Sequence, residues 1–316
     1  MEEITLDTIR EAAERIAPLA QRTPVWRSRS FDERAGAEVV FKCENLQKGG
    51  AFKIRGAANF IFSIPAAERR RGVVAYSSGN HAQAVAIAAR HAGISATLVM
   101  PADAPRSKVE ATQAQGARIV LYDRLRESRE EIGRRIAGET GATLVPPFDH
   151  PWIIAGQGTC ALEFLEQAPE LDALVVCLGG GGLLAGCAIA AKALRPNIRV
   201  YGVEPELAND YWLSLQRGEP VEIPPPATIA DGLRTTKPGR WNFPVIQRLA
   251  DGVLLVSEEE IREAAKFILT RMKLVVEPSG AVGAAAVMAR KLPAGFRRVG
   301  VVLSGGNVDL ETLASL

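Results

Sequence analysis

The chain has 316 residues, 47% of them apolar and 23% charged, with a formal net charge of +2. This is a globular composition with core enough for one large domain or two. The near-neutral balance argues against nucleic acid as a partner, and no apolar run approaches a membrane-crossing length.

The N-terminal MEEITLDTIREAAERI is acidic, unlike a secretion signal, so a cytoplasmic protein is expected. It predicts an amphipathic helix with Ile9, Ala12, Ile16 and Leu19 on one face. EVVFKCENL (38–46) predicts a strand, and the glycine-flanked GGAFKIRG (49–56) follows it. Here Lys53 stands between Phe52 and Ile54. Apolar neighbours strip water from an ammonium, lower its pKa and leave an amine that attacks carbonyls. The alternative is an ordinary solvated lysine.

Strand patterns follow at 72–77, 95–101 and 117–123, alternating with helix patterns at 81–93, 108–116 and 127–141. Further strands are predicted at 173–179, 199–205, 252–257 and 298–305, with helices at 183–196, 258–272 and 279–292. The proline-rich stretch 218–232 reads as a surface excursion. Near-continuous apolar strands alternating with helices predict an α/β protein of two lobes, each a mostly parallel twisted sheet covered by helices. Residues 72–145 would form a small mobile lobe, and 1–71 with 146–316 the large one. The four cysteines (Cys43, Cys160, Cys177, Cys187) lack paired spacing and the three histidines make no zinc set, so reduced thiols and no structural zinc are expected.

Three strand-to-helix turns carry chemistry. Gly179, Gly180, Gly181 and Gly182 follow one strand and open a helix, where bare amides and the helix terminus suit a phosphate. A tight turn alone would need one glycine. Gly180, Gly182 and Ala185 also fit a loose dinucleotide fingerprint, with Glu204 as the ribose acid, so a non-catalytic dinucleotide-binding protein is the reading from another class. Ser77, Ser78, Asn80 and His81 gather donors at a second helix start, suited to a carboxylate or to simple capping. Ser304 ends a strand before two glycines, as a turn or as a hydroxyl for a ring nitrogen.

An amine, a phosphate cradle, a carboxylate loop and a strand-end hydroxyl together fit pyridoxal 5'-phosphate and an amino acid. The chain resembles the fold-type II (tryptophan synthase β-like) pyridoxal-phosphate enzymes, in the serine/threonine dehydratase and serine racemase group. The resemblance lies in FKCENLQKGGAFKIRGA, SSGNHAQA, IAGQGT, LGGGGLLAG, ADGLR, EPSGA and LSGGNVD, in the expected order over residues 41–309. One departure is Lys48-Gly49-Gly50-Ala51, where the group usually shows Lys-Thr-Gly-Ser.

The resemblance implies that Lys53 holds the cofactor covalently and later removes the Cα proton, with Phe52 packed on the ring. It gives the phosphate to Gly179–Gly182, the phenolic oxygen to Asn80 and the ring nitrogen to Ser304, and places Glu277 near the ring or at a helix cap. A neutral hydroxyl at the ring nitrogen makes a weaker electron sink, favouring β-elimination over transamination. Ser77, Ser78, Asn80 and His81 would grip the substrate carboxylate, and Ser78 would be a second acid/base on the opposite face. Arg129 and Thr235 are candidates for the substrate side chain, Arg129 being equally readable as a surface residue. Glu204, Ala208 and Asp210 resemble a Mg²⁺ or Ca²⁺ site, or else a solvated acidic loop.

The activity implied is a dehydratase (ammonia-lyase) that removes water from L-threonine or L-serine, after which hydrolysis of the product releases ammonia and leaves a 2-oxo acid. Hydroxyaspartate dehydratase and serine racemase are the alternatives within the group. Seven residues after Asp309 leave no room for a regulatory domain, so a catabolic enzyme is expected, and the resemblance implies a homodimer.

Overall fold

A computed structural model describes residues 3–77, 79–104 and 106–316. Its strands are β1 (Val25–Arg27), β2 (Glu38–Cys43), β3 (Val73–Tyr76), β4 (Ala96–Pro101), β5 (Arg118–Tyr122), β6 (Thr143–Leu144), β7 (Ala173–Cys177), β8 (Arg199–Pro205), β9 (Gly252–Val256) and β10 (Arg298–Leu303). They form a six-stranded sheet, β1-β2-β10-β7-β8-β9, and a four-stranded sheet, β5-β4-β3-β6. Every pairing is parallel except β1 with β2, where Trp26 faces Phe41. All five residues of β7 are buried, as helices on both faces of a parallel sheet require. The short β1 and β6 escape the sequence reading because two or three residues carry no periodicity.

The carboxyl ends of β2, β3, β7, β8 and β10 lead to the segments singled out above. In open parallel sheets the crevice outside those ends is where ligands sit. No helix among the described residues is long and apolar enough to cross a membrane. All four cysteines are free and buried.

Several helices lie where the sequence predicts none. Lys53–Ser63 begins at the lysine itself, and Pro151–Gln167 runs for 17 residues. The second contains Gly156 and Gly158, which weaken a helix in isolation. Close packing explains them. A Cβ on Gly156 would lie 2.5 Å from Arg55 O, and one on Gly158 2.9 Å from Gly186 O. Tertiary contact here overrides local preference.

The helix Lys53–Ser63 packs on Pro151–Gln167 and on Asn80–His91. Its Ile54, Ala57, Phe60 and Ile61 share one apolar cluster with Val73, Ala75, Leu98 and Met100 of the smaller sheet. The opposite side of its first turn is ionic. Arg55, fully buried, forks Glu44 through Nε and Nη2 at 2.8 Å each and forks Glu163 through Nη1 and Nη2, also at 2.8 Å. Lys42 Nζ completes the cluster on Glu163, Gln167 and Thr23 O at 2.7–2.8 Å. Two cations and two carboxylates thus cancel inside the core, with their donors engaged.

Candidate active site

Lys53 is the first residue of its helix, and Phe52 before it offers no side-chain cap. The Phe52 N–H instead bonds to Ser304 O at 3.0 Å, tying the lysine turn to the end of β10. Lys53 Nζ donates to Pro147 O at 2.8 Å and lies 5.2 Å from the Phe52 ring centroid. Burial pulls its pKa down to about 8, while Cys177 and Glu277 nearby pull upward. At neutral pH a usable fraction is therefore free amine, the state a carbonyl requires.

The amine opens into a cavity that gathers most of the expected residues. Phe52, Asn80, Glu277 and Ser304 line it with Gly179, Gly180, Gly181 and Gly182. Ser77, His81, Arg129 and Thr235 line it too. Ser78 lies outside the described residues. Glu204, Ala208 and Asp210 are not in the lining; Thr235 Oγ1 connects to them, 3.4 Å from Asp210 Oδ1.

Only Gly181 in the glycine run needs a left-handed backbone, with φ 93°. The others answer to neighbours: a Cβ would lie 2.3 Å from the Phe148 ring at Gly180, 2.9 Å from Phe148 O at Gly182 and 3.2 Å from Leu233 at Gly179. The run is packed as well as permissive. Among the described residues, the N–H groups of Gly180, Gly181 and Gly182 find no protein acceptor. Unpaired amides at the start of Gly182–Leu194 suit a phosphate. The ribose role of Glu204 finds no opening here. Glu204 is fully buried and its carboxylate accepts from Tyr211 N at 3.0 Å and Trp212 N at 2.9 Å.

Asn80 is held at both ends. Its Nδ2 donates to Glu277 Oε1 at 2.6 Å and its Oδ1 accepts from Asn307 Nδ2 at 2.9 Å. Asn307 also donates to Gly49 O at 2.7 Å, so the amide of Asn80 cannot turn over. His81 Nε2 is 3.1 Å from Val145 O; a carbonyl only accepts, so the ring N–H points there. Burial and the Lys53 charge push its pKa down to about 3. His81 is thus neutral, with its ring N–H engaged, and its donor toward an anion is its backbone N–H in the first helical turn. Ser77 Oγ accepts from Gly79 N at 3.3 Å. Ser304 Oγ is buried, at a long 3.5 Å from Ser279 O and in hydrogen-bonding reach of the Cys177 thiol.

Among the described residues, three cationic side chains line the cavity: Lys53, Arg129 and Arg234. Arg234 is committed to Thr228 O through Nε at 2.8 Å and Nη2 at 2.6 Å. Arg129 sits 5.8 Å over the Tyr76 ring and, among the described residues, donates through Nε to Glu130 at 2.9 Å.

Glu204 and Asp210 are both fully buried, and burial raises both pKa values, that of Asp210 to about 7. The Asp210 charge raises Glu204 further. Asp210 Oδ2 has no hydrogen-bond donor among the described residues. A buried carboxylate pair with an orphan oxygen, beside the buried Ala208, fits a hard divalent cation in the chemistry of its donors. No cluster of three or more His, Cys, Asp or Glu side chains occurs among the described residues.

Pro147, Phe148, Gln157 and Tyr76 also line the cavity without having been singled out. Pro147 and Phe148 lie in an unpatterned connection with no signal to find. Asn307 stood inside LSGGNVD, where only the serine drew notice.

A lysine amine, unpaired glycine amides, a fixed asparagine donor and a strand-end hydroxyl fit the carbonyl, phosphate, phenolic oxygen and ring nitrogen of pyridoxal 5'-phosphate. Fold and site together define a pyridoxal-phosphate enzyme of fold type II. The chain belongs to the family described as "Pyridoxal-phosphate dependent enzyme", whose profile matches residues 16–305. It is 52% identical over 308 residues to an L-threo-3-hydroxyaspartate ammonia-lyase of a Pseudomonas species, covering 97% of this chain and 96% of that one. It is 48% identical to the serine racemase of Schizosaccharomyces pombe, covering 98% and 96%. The structure of maize serine racemase superposes with a TM-score of 0.96 at 45% identity, covering 99% and 97%.

Proposed function

We propose that the chain is an ammonia-lyase for β-hydroxy amino acids, with 3-hydroxyaspartate ahead of L-threonine and L-serine. The carrying observation is Arg129, which lines the cavity beside Glu130 and, unlike Arg234, is not committed to a backbone carbonyl among the described residues. A cation at that wall favours a second carboxylate on the substrate. The similarity to a hydroxyaspartate ammonia-lyase supports the same choice. Serine racemase is the second reading, supported by relatives of nearly equal identity.

Pyridoxal phosphate, when bound, supplies an electrophilic carbonyl and an electron sink. Lys53 would hold it, and its Nζ would take the substrate Cα proton. Gly179–Gly182 bind the phosphate, Asn80 the phenolic oxygen and Ser304 the ring nitrogen. Ser77 and the backbone amides of Asn80 and His81 bind the substrate α-carboxylate. Glu204, Asp210 and the Ala208 carbonyl hold Mg²⁺ or Ca²⁺.

The test compares 2-oxo acid release from hydroxyaspartate, threonine and serine by wild type and Arg129→Ala. Expected is a loss of about tenfold or more on hydroxyaspartate alone. An unchanged preference would overturn the substrate choice. Borohydride reduction should fix the cofactor on Lys53, and a label elsewhere would overturn the site.

A further inference from the structure

The glycine run has a flaw as a phosphate cradle: a peptide between two glycines turns over easily. Gly181 has the left-handed φ of 93° and no side chain of its own to hold it. Its neighbours supply the restraint. Tyr211 Oη donates to Gly180 O at 3.1 Å and Asn242 Nδ2 donates to the same oxygen at 2.8 Å. Both lone pairs of that carbonyl are then occupied. In a planar trans peptide the carbonyl oxygen and the next N–H point in opposite directions. Holding Gly180 O against Tyr211 and Asn242 therefore turns the Gly181 N–H away from them. Gly181 lines the Lys53 cavity, and its N–H has no protein acceptor among the described residues.

The two restraining side chains are themselves immobile. Both are fully buried. Tyr211 Oη accepts from Gly239 N at 3.3 Å, and its backbone N–H is bonded to Glu204 Oε1 at 3.0 Å. A Cβ on Gly181 would lie 2.1 Å from Tyr211 Oη, so the phenol sits directly against the loop. Neither residue lines the cavity.

We propose that Tyr211 and Asn242 are positioning residues that lock the Gly180–Gly181 peptide, so that the Gly181 N–H is a fixed donor to the cofactor phosphate. This rests on the assignment of Gly179–Gly182 as the phosphate cradle. Through Glu204 the same tyrosine joins the cradle to the carboxylate pair, making the two sites one mechanical unit.

A structural role alone would weaken everything the protein binds, whereas a lock on one amide acts only on the phosphate. Apoprotein of wild type, Tyr211→Phe, Asn242→Ala and the double variant is titrated with pyridoxal 5'-phosphate and, separately, with pyridoxal. Wild type should prefer the phosphorylated form. In the double variant the Kd for pyridoxal 5'-phosphate should rise about tenfold, as for loss of one hydrogen bond to a charged group, with pyridoxal changed less than about twofold. Tyr211→Phe alone should show the same selective loss at about threefold, which carries the test if the double variant does not fold. Equal losses for both compounds, or none, would overturn the lock. Wild type binding both alike would overturn the cradle itself, a distinguishable failure.

Discussion

Lys53 and Arg55 share the first turn of one helix, yet among the described residues the Lys53 amine makes a single hydrogen bond, to Pro147, while the side-chain N–H groups of Arg55 are engaged. Two cations at a helix N-terminus oppose the helix dipole, and Phe52 gives no capping bond. The turn breaks local rules. What holds it is Glu44 and Glu163, reached from other elements, and that leaves Lys53 free for chemistry.

Removing Arg55 should therefore leave the buried Glu44 without its cation and Glu163 with Lys42 alone. Arg55→Ala should lose about 3–5 kcal/mol in urea unfolding. Arg55→Lys should recover little, because an ammonium cannot fork two carboxylates. The exposed pair Arg22–Glu166, at 2.8 Å, is the control: Arg22→Ala should cost under ~1 kcal/mol.

Lys53 should titrate near pH 8 in the apoprotein. Acylation of its amine, followed by mass spectrometry, should rise with pH through that value, well before the exposed lysines react. Glu277 raises the Lys53 pKa, so Glu277→Gln should move the midpoint down. An upward movement would contradict the electrostatics.

His81 should make the protein acid-sensitive. Its folded pKa, about 3, lies below the unfolded value of 6.5. Below pH 6.5 the unfolded chain takes up a proton that the folded one refuses, so stability falls as pH drops. The slope approaches ~1.4 kcal/mol per pH unit. Between pH 6.5 and 5, His81→Gln should give a flatter stability curve than wild type in denaturant melts.

The carboxylate pair has the opposite sign. Folded pKa values above the unfolded ones, about 7 for Asp210, mean that stability falls as pH rises toward and through 7. A divalent cation, as proposed for this pair, would take the place of the protons that the raised pKa values retain. Millimolar Mg²⁺ should raise the Tm more at pH 8 than at pH 6. Asp210→Asn should abolish that increment while raising the Tm in EDTA.

Some elements were legible because their signals are local. β7, the glycine run and the helix Gly182–Leu194 form one contiguous pattern, an apolar strand, bare amides and a helical repeat. The helix Pro151–Gln167 was not legible. Its glycines weaken a helix locally, and the backbones of Arg55 and Gly186 packed against them account for their place. The glycine run itself was half read. Its openness suggested a phosphate, but three of its four glycines are also required by Phe148 and Leu233.

The sequence by itself determined the parallel α/β class, the lysine, the glycine run and the chemistry they imply, because strand periodicity, turn composition and motif spacing are properties of neighbouring residues. Only the tertiary structure decided which charges are free. It engaged the His81 ring N–H on Val145, committed Arg234 to Thr228, buried Glu204 against a helix start and left Lys53, among the described residues, with one hydrogen bond, to Pro147. Those assignments depend on desolvation and on partners up to 94 positions away, as with Lys53 and Pro147, and no local pattern encodes them.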